Sequence, residues 1–231
     1  MRAILTCRRP DSARPGDPVR AVDAAGGSGY ASAWLAAHGY QVTAVDLDPS
    51  QWRVPQVPCV AGDLNEAIPL PTASVDLALS IETIEHLEAP FRFVRELARV
   101  TRPGGLVIIT TPNVHAIRSR LKYLATGLPT LFEYVADDNM GQHIMPISFP
   151  MLLYAFDRCG LEVVDLVTTG PRGSVVTAAV LRAFHLATLP ATWLARRSRA
   201  TYPEHYLRRL TWRQLVTLGD AVSLIVVARR R

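Results

Sequence analysis

Chemistry in this chain is signalled first by Ala21-Val-Asp-Ala-Ala-Gly-Gly-Ser-Gly29, where an apolar run ends in a glycine-rich corner ahead of a helix-like stretch. Residues without side chains let the backbone take positive φ and approach a ligand closely, while a helix start offers free N–H groups. Seventeen residues past Gly29, Asp46 closes a second strand-like run, Gln41-Val-Thr-Ala-Val-Asp46. A carboxylate at that place can accept both hydroxyls of a ribose. Corner and carboxylate together imply a nucleoside-bearing cofactor on a strand-loop-helix-strand unit. Gly26, Gly27 and Gly29 do not fit GxGxxG, which argues against a nicotinamide dinucleotide.

Helix and strand signals alternate along the chain, the pattern of a parallel sheet covered on both faces. Strands are predicted at 19–23, 41–46, 57–61, 75–80, 106–111, 161–169 and 223–228. Helices are predicted at 28–38, where Gly39 stops the first, and at 90–101, where Phe91, Val94, Leu97, Ala98 and Thr101 share a face and Pro103-Gly104-Gly105 breaks the helix. An amphipathic piece at 114–124 opens a looser segment, 114–149, that reads as a lid over a substrate. Ser148 caps a helix over 149–159, with Pro150 in its first turn and Gly160 past its end. Residues 171–217 read as helices inserted before the last strand.

The 231 residues, 49% apolar and 19% charged, suit one α/β domain over 1–231 with a single substantial core. Cys7, Cys59 and Cys159 are odd in number, far apart and without CxxC spacing, so a disulfide framework and a zinc knuckle are both disfavoured and reduced thiols are expected. Five arginines among the first twenty residues exclude a secretory leader there, and Arg182 and His185 interrupt the most apolar stretch, so a cytoplasmic protein is expected. The net charge of +5 is unevenly placed, because residues 167–231 hold 11 Arg against Glu204 and Asp220. That basic region, with apolar Phe184, Leu186, Leu189, Trp193 and Leu194, would suit a membrane surface or a second copy of the chain through residues 175–213.

Six motifs in order then carry a resemblance. Asp23-Ala-Ala-Gly-Gly-Ser-Gly29, Val45-Asp46, Gly62-Asp63-Leu64, Ser74-Val-Asp-Leu-Ala-Leu-Ser80, Ile84-Glu-His-Leu87 and Arg102-Pro-Gly-Gly105 resemble the successive motifs of class I S-adenosylmethionine-dependent methyltransferases. The resemblance covers about residues 19–169 and the last strand. It implies a doubly wound, mostly parallel, Rossmann-like sheet of seven strands, with the last one antiparallel at its edge and a helical insertion before it. It also divides the chain into a cofactor half (19–113), a substrate segment (114–149) and an insertion (171–217). Asp23 and the corner at Gly27 and Gly29 would hold the methionine end of S-adenosylmethionine and of its product, S-adenosylhomocysteine. Asp46 would take the ribose, Asp63 the adenine amino group, Leu47 and Leu64 the ring, while Ser80 and Ile81 would floor the sulfonium. Ala25 stands where the family usually has glycine, a methyl group that would tighten the loop.

Methyl transfer is an in-line displacement from an already activated donor, so the protein supplies alignment, desolvation and, for a hydroxyl acceptor, a base. Catalytic residues are expected in Glu85 and His86, just beyond the fourth strand, with His143 joining them, and His86 is the expected base near neutral pH. The expected acceptor is a hydroxyl oxygen of a small molecule or glycan, with no nucleic acid, since the substrate segment looks most like bacterial enzymes of glycan and secondary-metabolite pathways. Glu82, Glu85, His86 and His143 also resemble the metal set of small-RNA 2′-O-methyltransferases, as does Thr111-Pro-Asn113, which gives a metal-assisted RNA enzyme as the alternative. A non-catalytic cofactor-binding or scaffold protein is the third reading.

Overall fold

The computed structural model describes residues 10–13, 16–132, 142–169 and 222–231, with helical positions at 179, 183, 186–188, 190 and 214. Seven strands form one sheet: β1 (Val19–Ala24), β2 (Tyr40–Asp46), β3 (Cys59–Ala61), β4 (Val75–Ile81), β5 (Thr101–Pro112), β6 (Leu161–Thr168) and β7 (Ser223–Arg230). Their spatial order is β3-β2-β1-β4-β5-β7-β6. The pairs from β3 to β5 are parallel, and β7 runs antiparallel to both β5 and β6. The helices are α1 (Tyr30–Ala37), α2 (Pro90–Val100), α3 (Ile117–Thr126) and α4 (Phe149–Arg158), with 3₁₀ turns at Pro49–Gln51 and Ile84–His86.

Side chains alternate across the sheet, and each face has its own core. Val22, Ala78, Val107, Ile109 and Val226 meet Phe93, Val94 and Leu97 of α2 and Phe149, Leu152 and Phe156 of α4. Ala21, Leu77, Leu79, Ile108 and Val227 meet Leu35 of α1, with Trp34 and Trp52 packed beside it. Of the face expected for α2, Val94, Leu97 and Ala98 turn to the sheet, joined by Phe93 and Val100, while Phe91 is only partly buried and Thr101 begins β5.

Strand order reverses between β1 and β4, and their carboxyl ends stand level, Ala24 beside Ser80. That reversal opens the crevice in which ligands of open α/β sheets bind. It sets the glycine corner after β1 beside the 82–86 segment after β4.

Two local expectations change. The last strand does not lie at the edge: β7 is inserted between β5 and β6, which buries Leu224 to Ala228, and β6 takes the edge. Pro103-Gly104-Gly105 does not stand between helix and strand but inside β5, at a register shift against β4 between Val75 and Leu77. A Cβ on Gly105 would lie 2.8 Å from Arg102 O and 2.9 Å from Asp76 O, so only glycine admits that bulge.

Cys59 and Cys159 carry free thiols. No helix among the described residues is long and apolar enough to cross a membrane. The insertion at 171–217 and the proposed basic contact surface at 175–213 lie, but for the isolated helical positions, outside the described residues.

Candidate functional site

The corner between β1 and α1 is built from left-handed backbone: φ is +66° at Ala25, +54° at Gly27 and +93° at Gly29, the N-cap of α1. A Cβ on Gly29 would run into the Val54 side chain, and one on Gly26 would stand 2.8 Å from the Trp52 ring. Trp52 is fixed there because its Nε1–H donates to Val54 O at 2.8 Å and Val57 O at 2.9 Å. Gly27 is different, since a Cβ there would meet nothing within 4 Å. Its amide donates to Asp46 Oδ2 at 2.8 Å, while Asp46 Oδ1 accepts the Asp48 amide at 3.1 Å. The end of β2 is thereby tied to the corner of β1, with the carboxylate between them.

Beyond this tie lies a cleft of about 680 Å³. Its walls include Ala25, Gly27, Asp46, Leu47, Asp63, Leu64 and Ile81 of the expected set, and also Asp48, Asn65, Glu82, Thr83, His86, Glu88, Gln142 and Ile144. Volume and lining suit a nucleoside-sized ligand with an apolar ring. Five carboxylates stand on the described wall, and no lysine or arginine does. Such a wall repels phosphates and attracts a cation. An adenosyl ligand that carries a sulfonium and an ammonium fits it; a nucleotide does not.

Three of the expected cofactor residues do not wall the cleft, nor do Glu85 and His143 of the expected catalytic set. Asp23 is buried, its carboxylate accepting the Ser32 hydroxyl at 2.7 Å, and burial holds its pKa above the usual carboxylate value despite that bond. Through that oxygen it braces α1 against β1. Ser80 is likewise fully buried, and Gly29 serves the packing of Val54. Asp63 does wall the cleft, with one oxygen accepting the Asn65 amide at 2.8 Å. Asn65 in turn accepts the Ala89 amide at 3.0 Å, anchoring that wall to the start of α2.

Behind the wall that His86 contributes, Glu85 and His143 come together with it, the three offering ligand atoms within 4.8 Å of one another. The chain places them by backbone hydrogen bonds: Glu85 O accepts both the Ile144 and Met145 amides at 2.9 Å, which pins the 142–147 segment to the 84–86 turn. The imidazoles of His86 and His143 meet edge to face with centroids 4.7 Å apart. His86 Nδ1 pairs with the Gln142 carbonyl at 2.8 Å. That pairing makes Nδ1 the donor and leaves Nε2 with its lone pair.

Burial pushes the Glu85 carboxyl up to about 7, and the charge of Glu82 adds to the rise. Neither oxygen reaches a donor at hydrogen-bonding geometry; the Glu85 amide and the Thr111 hydroxyl only temper the shift from nearby. Desolvation lowers His143, and the neighbouring His86 lowers it further. Glu82, expected in the same set, walls the cleft but does not join the three: its amide and Oε1 engage Thr110, the latter accepting the hydroxyl at 2.8 Å, and its backbone is left-handed at φ +48°. Sequence reasoning missed Gln142 and Ile144; their only signal was adjacency to His143.

Residues 22–109 match the family model described as a methyltransferase domain. A protein of Mycobacterium tuberculosis named as a probable S-adenosylmethionine-dependent methyltransferase is 42% identical over 97 residues, 40% of this chain and 35% of its own length. A similarly named protein of Mycolicibacterium smegmatis is 38% identical over 97 residues, 40% of this chain and 37% of its own length. The chain thus spans little more than a third of the curated relatives it matches. Among solved structures, an S-adenosylmethionine-dependent methyltransferase of Mesorhizobium loti superposes with a TM-score of 0.59 at 17% identity, over 99% of this chain and 96% of that one. The [4+2]-cyclase SpnF superposes with a TM-score of 0.53 at 17% identity, over 92% and 74%. Both likenesses establish the fold alone, and the second shows that the fold hosts other chemistry.

Proposed function

We propose that this chain, a member through residues 22–109 of the class I S-adenosylmethionine-dependent methyltransferase family, transfers a methyl group to a hydroxyl oxygen of a small molecule or glycan. The observation that carries the reading is a cleft whose glycine corner and Asp46 suit a nucleoside while its wall bears carboxylates and no described basic residue. When bound, the sulfonium supplies an activated methyl group and needs no further electrophile.

The chain's own residues do the rest. Asp46 still has lone pairs beyond those given to Gly27 and Asp48, and these would accept the ribose hydroxyls. Leu47 and Leu64 would hold the adenine ring, and Asp63 would accept from its amino group. Ala25 and Gly27 flank the amino-acid end, and Ile81 borders the reacting end. There the acceptor hydroxyl would stand against His86, the member of the Glu85–His86–His143 cluster that reaches the cleft, with His86 Nε2 free to take its proton as the oxygen takes the methyl group. Alignment and exclusion of water supply most of the acceleration.

The acidic wall favours this reading over an RNA acceptor, whose phosphates it would repel. The test is calorimetry with S-adenosylhomocysteine, followed by assay on hydroxyl acceptors including sugars. Heat with the wild type and its loss in Asp46→Ala are expected. No heat overturns the reading, and heat without turnover reduces it to binding.

A further inference from the structure

The segment that follows β5 builds a second cavity, of about 610 Å³, that no step of the reaction uses. Ile117, Leu121 and Leu124, spaced by four and three residues, lie along one face of α3 and line it, together with Pro129 and Pro146. Backbone hydrogen bonds fix these walls. Ser119, buried on α3, accepts the Thr130 amide at 3.0 Å and so holds Pro129 to the helix. Pro146 stands between Met145, whose amide donates to Glu85 O, and the buried Ile147. The helix face itself stays open, with Leu121, Tyr123 and Leu124 39%, 59% and 84% exposed. An apolar face held open over a cavity of this size suits a ligand better than it suits core packing.

Charge narrows the ligand. Among the described residues Arg120 is the one charged side chain on the cavity wall, whereas five carboxylates stand on the cofactor cleft. The two spaces meet at one short segment, since Gln142 and Ile144 wall the cleft and Pro146 walls the cavity.

We propose that this cavity holds the apolar chain of an amphiphilic acceptor, an acyl or isoprenoid chain bearing one anionic group, whose hydroxyl end reaches His86. The chain lies along Ile117, Leu121 and Leu124. Its anionic group pairs with Arg120 and is kept from the cleft, whose carboxylates repel it. Methylation of the other end rests on the methyl-transfer reading; binding of the chain does not.

The test titrates the full chain with cis-parinaric acid, a conjugated polyene fatty acid that fluoresces on entering an apolar site. One saturable equivalent per chain is expected. Saturated fatty acids should displace it, each added methylene strengthening competition by about fourfold until the cavity is filled. Leu121→Asp, which sets a charge among the apolar walls, should weaken binding by about 30-fold or more. Arg120→Gln should weaken it by about tenfold, yet leave the uncharged methyl ester of the probe unaffected. The heat of S-adenosylhomocysteine binding should survive in both variants, which also reports their folding, while Asp46→Ala should lose that heat and keep the probe. If the wild type gives no such heat, the methyl-transfer reading falls and the probe still decides the cavity. Absence of a saturable site, or probe binding unchanged in folded Leu121→Asp, overturns the proposal. So does a face that Leu121→Asp shows to serve only sedimentation with phosphatidylglycerol vesicles or only a dimer in ultracentrifugation. If Leu121→Asp does not fold, Leu124→Gln at the more exposed position decides, with a loss of about tenfold expected.

Discussion

His115 Nε2 accepts the Phe149 amide at 2.9 Å, so an imidazole from the segment after β5 caps the first turn of α4. The ring must be neutral to do this, and burial, aided by the charge of Arg120, lowers its pKa from 6.5 to about 4. The unfolded chain therefore binds the proton first as pH falls. This contribution to stability is complete above 6.5, is lost between 6.5 and about 4, and amounts to of order 3 kcal/mol. His115→Gln keeps an acceptor for the Phe149 amide and has no proton to gain. The difference in urea-derived stability between wild type and His115→Gln should shrink steadily across that window; a constant difference would refute the neutral cap.

Asp46 joins corner and cleft, so its loss should act on binding before stability. Hydrogen bonds to a charged acceptor contribute about 1.5–3 kcal/mol each, and two ribose bonds imply at least a 100-fold weaker affinity for S-adenosylhomocysteine in Asp46→Ala. Asp46→Asn, which keeps one oxygen, should lose about tenfold. Titration calorimetry reads both.

Gly29 should tolerate no side chain. Gly29→Ala meets Val54 and forces an L-residue to φ +93°, at a combined cost of about 3 kcal/mol or more. Trimming the neighbour in Gly29→Ala/Val54→Ala should restore only part of this, because the backbone cost remains. Urea midpoints of the two variants measure the split.

Ala25 is a closer contest. A left-handed alanine costs about 1–2 kcal/mol, while glycine frees the unfolded chain by about 0.4–1 kcal/mol. Ala25→Gly should therefore stabilise by up to about 1.5 kcal/mol. A measured loss would show that the methyl's packing against the core outweighs the strain.

Much of the architecture was legible because its signals are local. The unbroken apolar run of β4, the spaced stripe of α2 and the Ser148 cap, whose hydroxyl accepts the Met151 amide, needed no tertiary knowledge. What escaped depends on partners remote in the chain. The place of β7 between β5 and β6 is decided by sheet closure over apolar faces, not by its own residues. The Ser32 hydroxyl on Asp23 and the Thr110 hydroxyl on Glu82 are contacts between elements that no local pattern announces. The meeting of His143 with Glu85 rests on two main-chain amides that no side-chain pattern announces.

The five acidic side chains around the cleft have a bearing on turnover. A donor that gives up its methyl group also gives up a positive charge, so the same walls that draw it in hold its thioether remnant less firmly. Discharge of the spent ligand is thus built into the surroundings that captured it, and added salt should narrow the gap between the two affinities.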